Sequence, residues 1–136
     1  MTDLINRLRT GTHEQAVGLL LEVQEAVKPQ PFLDGISPEQ DFEDCALWNK
    51  WKANFDRLLQ IGTPEACVGA AMMLMPEGAI TEQLMQYEAT LKWIWTLRFQ
   101  SGRAATGRNK SAALAIAEAV MNERHLAAAI METKND

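Results

Sequence analysis

Near the middle of this chain the apolar period changes from that of a helix to that of a strand. Ala89, Leu91, Trp93, Trp95, Leu97 and Phe99 alternate with Thr90, Lys92, Ile94, Thr96 and Arg98. A period of two with this aromatic and β-branched content predicts a strand with one buried face. Helical spacing also links Leu84, Tyr87, Leu91, Ile94 and Trp95, so a helix over 82–99 is the competing reading. A strand needs a partner. Residues 80–86 and Ala104–Thr106 supply the candidates, and two or three strands are expected at most.

Everything on either side of that stretch is punctuated as helix. Thr2 caps a short helix over Asp3–Arg9 that Gly11 closes. Thr12 with Gln15 forms a capping box for an amphipathic helix over 13–28, which Pro29 stops. Pro29-Gln30-Pro31-Phe32-Leu33-Asp34-Gly35 reads as an extended connector with Phe32 and Leu33 docked on the core. Ser37-Pro38-Glu39-Gln40 starts a long helix that Gly62 ends, with Phe42, Cys45, Trp48, Trp51, Phe55, Leu58 and Leu59 along its apolar stripe. Trp48, Trp51 and Phe55 are expected to be core anchors. Thr63-Pro64-Glu65 caps a helix over Glu65–Leu74 that is apolar nearly all round, so it is central in the core or completed by a second copy. A final helix over about 110–132 presents Leu114, Ala117, Val120, Met121, Ala128 and Met131 inward.

These 136 residues suit one compact domain of α+β class, mostly helical, with four to five helices and a small antiparallel β element. The N-terminus MTDLINRLRT is charged and lacks an apolar signal core, and the apolar run from Ala66 to Met75 is too short to span a bilayer. No membrane segment is expected, and a reducing cytoplasm is the expected location. Cys45 and Cys67 have no partner at metal-ligand spacing, and His13 and His125 lie far from both, which argues against zinc. Neither cofactor nor metal is expected.

The charge is segregated. The chain carries 13 Lys and Arg against 18 Asp and Glu, a net charge of −5. Lys92, Arg98, Arg103, Arg108 and Lys110 form a stretch without a single acid, so the remainder carries about −10. Trp93, Trp95 and Phe99 interleave with these cations in the manner of a nucleic-acid surface. As a strand, however, the segment puts cations and aromatics on opposite faces, which favours a solvated basic strand. Gly102 and Gly107 bracket what reads as a basic loop running into Ser111. It departs from a phosphate loop because Arg108 and Asn109 stand where the motif needs lysine directly after its second glycine. An anion held at the start of the last helix fits better, with Arg98, Arg103, Arg108, Lys110 and Ser111 as candidate residues. The acids Asp34, Glu39, Asp41, Glu43 and Asp44 are explained by a helix N-terminus. No paired-carboxylate or triad arrangement is nominated, so no catalytic residue is named and the reading leans away from an enzyme.

Three stretches resemble a loose group of small uncharacterised phage and prophage proteins, especially of alphaproteobacteria. They are Asp3-Leu4-Ile5-x-Arg7-Leu8, then Thr63 to Ala71 running through Leu74-x-Pro76-Glu77-Gly78, and Gly102-Arg103-Ala104-Ala105-Thr106 leading to the alanine-rich Ala112–Ala119, about a third of the chain. The long Trp-bearing helix and Gly107–Lys110 depart from the group. The resemblance implies a phage-like origin and a compact α+β fold, and brings no activity with it. The expectation is a non-catalytic protein that binds a host or phage macromolecule or a second copy of itself, its acidic surface acting by electrostatic complementarity. The alternatives are a nucleic-acid binder using 92–110, less favoured because the rest of the molecule repels phosphate, and a small enzyme holding an anionic substrate at 102–111.

Overall fold

The computed structural model describes residues 2–27 and 38–135. The order is α1 (Thr2–Thr10), a 3-10 turn (His13–Gln15), α2 (Ala16–Val27), α3 (Pro38–Ile61), α4 (Pro64–Met73), β1 (Ile80–Gln86), β2 (Trp93–Arg98), β3 (Ala104–Asn109) and α5 (Ala112–Asn135). This is a mostly helical α+β fold with a three-stranded antiparallel sheet in the order β1-β2-β3. The connector bearing Phe32 and Leu33, the Ser37 cap, and the side chains of Phe42 and Cys45 lie outside the described residues.

The strand reading of 89–99 holds over Trp93–Arg98, while 89–92 belong to the turn that joins β1 to β2, and both candidate partners are used. Leu84 pairs with Trp95 and Gln86 with Trp93 on one side, while Trp95 pairs with Gly107 and Leu97 with Ala105 on the other. Paired residues share a face, so Trp95, Leu97, Gly107 and Asn109 look toward α5, and Ile94, Thr96, Arg98 and Arg108 lie on the opposite face. Between Thr81 and Gln83 the register slips, and the displaced Glu82 takes both of its oxygens to Arg98 at 3.1 and 2.8 Å. The Trp95 indole N–H donates to Thr81 Oγ1 at 3.0 Å and ties β1 to β2. Ahead of β2, Leu91 takes a φ of 60°, a left-handed conformation disfavoured for a branched side chain, and its own side chain is exposed.

At the centre of the molecule is α5, which packs against β2 and β3 on one side and against α1, α2 and α4 on the other. Ala113–Met121 is therefore buried on every side rather than along one stripe. The second half of the helix runs beyond this sandwich, so Ala128 and Met131, expected inward, are exposed, Met131 by 60%. The segment between Gly102 and Gly107 is likewise not a glycine-bracketed loop. Only the turn after Phe99 is a loop, and Gly107 lies within β3, where any Cβ would overlap the carbonyl of Ala115 and crowd the amide of Ala119. That glycine serves helix–sheet contact and not a phosphate cradle.

The caps read at Thr12 and Thr63 are in place, whereas Thr2, read as the cap of the first helix, is its first helical residue. The Thr12 backbone N–H donates to Gln15 Oε1 at 3.0 Å, and the Ala66 N–H donates to Thr63 Oγ1 at 3.2 Å. The α4 face made of Ala66, Cys67, Ala70, Ala71 and Leu74 is buried, whereas Met72 is about half exposed. On α3, Trp48, Trp51 and Phe55 stack in one column, with ring centroids 5.4 and 5.1 Å apart. Phe55 is fully buried, but Trp48 and Trp51 are only half-buried, so the column enters the core at one end only.

Two expectations follow for stability. Phe55→Ala should cost about 3–5 kcal/mol and Trp51→Ala clearly less, which paired urea melts with an unchanged m-value would show. Gly107→Val should yield no cooperatively melting protein, whereas Gly102→Asn, in an open turn, should lower the melting temperature by only a few degrees, on the order of 1 kcal/mol.

Candidate functional site

The candidate cations are spread along the length of the β2–β3 hairpin rather than gathered at one point. Arg98 and Arg103 sit at the β2–β3 hairpin end, and both are engaged. Arg98 bonds to Glu82, whose hydrogen bonds and charge push the guanidinium pKa upward, and also to the Gly102 carbonyl at 2.7 Å. Arg103 reaches Glu123 on α5 at 2.7 Å. Arg108 has an exposed side chain on the sheet face away from α5. Lys92, Lys110 and Ser111 are at the far end of the same two strands, about 20 Å away for six residues at about 3.3 Å each. The basic stretch is thus divided between the two ends of the hairpin, with Arg108 two residues before Lys110 and on the sheet face that also carries Arg98.

The end that carries Lys110 and Ser111 opens into a cleft of about 780 Å³. Its walls come from four places: Arg9–His13 after α1, Pro64, Glu65 and Val68 at the start of α4, Lys92 and Trp93 at the start of β2, and Asn109–Ala112 at the junction of β3 with α5. The walls are predominantly apolar, with Trp93 and Val68 both half-buried there. Among the described residues Glu65 is the one acid in its lining, together with the cations Arg9, Lys92 and Lys110. A second cavity of about 390 Å³ lies between α1 and α2, beside the Arg7–Glu22 ion pair.

A buried polar network fixes the geometry of the larger cleft. Asn109 is buried, and its Nδ2 donates to the carbonyls of Leu8, Arg9 and Gly11 at 2.7, 3.2 and 3.0 Å. These are carbonyls at the end of α1, which no helical N–H follows to satisfy. Its Oδ1 accepts from the Ser111 N–H at 2.7 Å, and Ser111 Oγ in turn accepts from the Leu114 N–H, capping α5. One side chain therefore ends one helix and sets up the start of another. Beside it the buried carboxylate of Glu118 accepts from Arg9 Nε at 3.0 Å and from the Arg108 backbone N–H at 3.2 Å. With both oxygens engaged, that carboxylate is a brace and not a free base.

Ser111 is consumed as a cap, so of the residues nominated from sequence only Lys110 presents an uncommitted polar head to the cleft. The Lys92 and Lys110 side chains have no hydrogen-bond or ion-pair partner among the described residues, and His13 interacts by charge with Glu14 beside it. Arg9, His13, Val68 and Trp93 were not nominated, because they come from segments far apart in sequence. One sign of the arrangement is visible beforehand: Asn109 two residues before a serine helix cap. Among the described residues no group of three His, Cys, Asp or Glu is placed to hold a metal, and no helix is long and apolar enough to cross a membrane. Cys67 is fully buried as a free thiol, and burial pushes its pKa up, away from the reactive thiolate.

Asn109→Ala should destabilise the chain by about 1–3 kcal/mol by stripping buried carbonyls of their donor. Asn109→Asp should be at least as harmful, since a carboxylate would face those same three carbonyls. Chemical denaturation of both variants checks the order. No family model, no curated protein and no solved structure matches this chain.

Proposed function

We propose that this chain is a non-catalytic binding protein and that the cleft between α1, α4 and the β3–α5 junction is where it binds. The observation that carries this reading is the cleft itself: its volume is that of a site for a drug-sized molecule, its walls are mostly apolar, and a few polar groups sit at its rim. The reading as a binder and not an enzyme draws on the state of the polar groups. Glu118 is held by Arg9 and Arg108, Ser111 caps a helix, and Asn109 is saturated, so their protons and lone pairs serve the fold. A cytoplasmic setting suits the free, buried Cys67 thiol. The phage-like origin belongs to the same proposal and rests on the sequence resemblance alone.

The nucleic-acid alternative would require the cations of 92–110 to track one backbone. The pairing of Arg98 with Glu82 and of Arg103 with Glu123 leaves fewer of them for phosphate contacts.

The test is a fragment screen of aromatic acids, amines and neutral aromatics against isotope-labelled protein, followed by amide shift mapping. Binding fragments should move the amides of Arg9–His13, Val68, Trp93 and Ala112 together and be recovered unchanged. A Val68→Trp variant, which fills the cleft, should bind none of them. Hits that map elsewhere would remove the cleft as the site, and chemical conversion of a bound fragment would replace the non-catalytic reading.

A further inference from the structure

We infer that the cleft takes a small free anion with a planar apolar body, the anionic group held between Lys92 and Lys110 and the body packed against Trp93 and Val68. This rests on the cleft being the binding site and adds the chemistry of its occupant. Trp93 and Asn109 are the terminal register pair of β2 and β3. Lys92 precedes one and Lys110 follows the other, so the two lysines come off adjacent strands at the same end of the ladder. Like charges so placed repel and weaken the pairing. Arg7, Arg9, Lys52, Arg98 and Arg103 each pair with an acid, whereas Lys92 and Lys110 form no ion pair among the described residues. Two lysines at the mouth of an apolar cleft, with no ion pair among the described residues, are the complement of an anion, and a bound anion removes their repulsion.

The rest of the site sets what accompanies the charge. Trp93 and Val68 supply apolar wall, and Trp93 offers a ring on which a planar group stacks. Glu65 also lines the cleft and repels a second negative charge, so the anionic group belongs at one end of the ligand. The volume suits a free small molecule enclosed on several sides.

The probes are phenyl phosphate, phenol and inorganic phosphate, each titrated while following the Trp93 and Ala112 amides. Phenyl phosphate should bind at least about tenfold more tightly than either of its halves, and added salt should weaken it. Lys92→Gln/Lys110→Gln keeps the side-chain stems and should reduce phenyl phosphate affinity about tenfold or more while leaving phenol within about twofold. Without ligand, that double variant should melt slightly higher than the parent, because the repulsion is gone. Phenol binding as tightly as phenyl phosphate, or an unchanged phenyl phosphate affinity in the double variant, overturns the anion inference and leaves the cleft reading standing. Inorganic phosphate binding as well as phenyl phosphate overturns the apolar half of the inference. If none of the three moves these amides up to about 10 mM, the inference fails, and the fragment screen separately decides whether the cleft binds anything.

Discussion

The close approach of α5 to β3 over Gly107 is the contact on which the rest of the structure depends. With no side chain at that position, the helix backbone lies against the strand, and Ala115 and Ala119 are small enough to follow it down. A helix that close reaches the outer edge of β3 with its own side chains. Glu118 accepts from the Arg108 N–H, and Asn122 donates to the Thr106 carbonyl at 2.9 Å. These backbone groups belong to the edge strand of the sheet and would otherwise be unpaired. The helix thus completes the ladder where a fourth strand would, and it shields that edge from other chains.

From this contact the position of the cleft follows. Because α5 starts directly after β3, the last residue of the strand must also turn the chain into the helix, and Asn109 does so while closing the end of α1. Three chain segments are gathered at that point by one amide group. The cleft is the space left where they meet α4, so its shape is determined by buried, saturated groups and its chemistry by the exposed ones at its rim. Such a division separates the stability of the walls from the chemistry of the rim: the rim lysines can change without disturbing the side chains that hold the walls.

The helices and the strand were legible in the sequence because each depends on local rules: caps at Thr12 and Thr63, the stop at Gly62, the alternation through Trp93–Phe99. The central position of α5 was less so. Alanine fits both a one-sided amphipathic helix and a fully enclosed one, and only the sheet on one side and three helices on the other decide for Ala113–Met121. Gly107 misled for a related reason, since glycine serves a turn and a close approach equally, and the second needs a partner 8 residues or more away in sequence. Of the five cations in the basic stretch, the hairpin geometry sends Arg98 and Arg103 to one end and Lys92 and Lys110 to the other. A linear run of charge carries no information about that separation, nor about the cleft residues Arg9, His13 and Val68.

The two edges of the sheet are unequal, and this has a dynamic consequence. Every residue of β1 is exposed, and the strand is joined to the body through its ladder with β2, the Trp95–Thr81 bond and the Glu82–Arg98 pair. Detaching β1 would uncover part of β2 but disturb none of the α5 seam, so its opening costs far less than global unfolding. The molecule then has two levels of cooperativity: a body of α5, β2, β3 and the flanking helices that comes apart as one, and a single outer strand whose amides meet solvent on a much shorter clock.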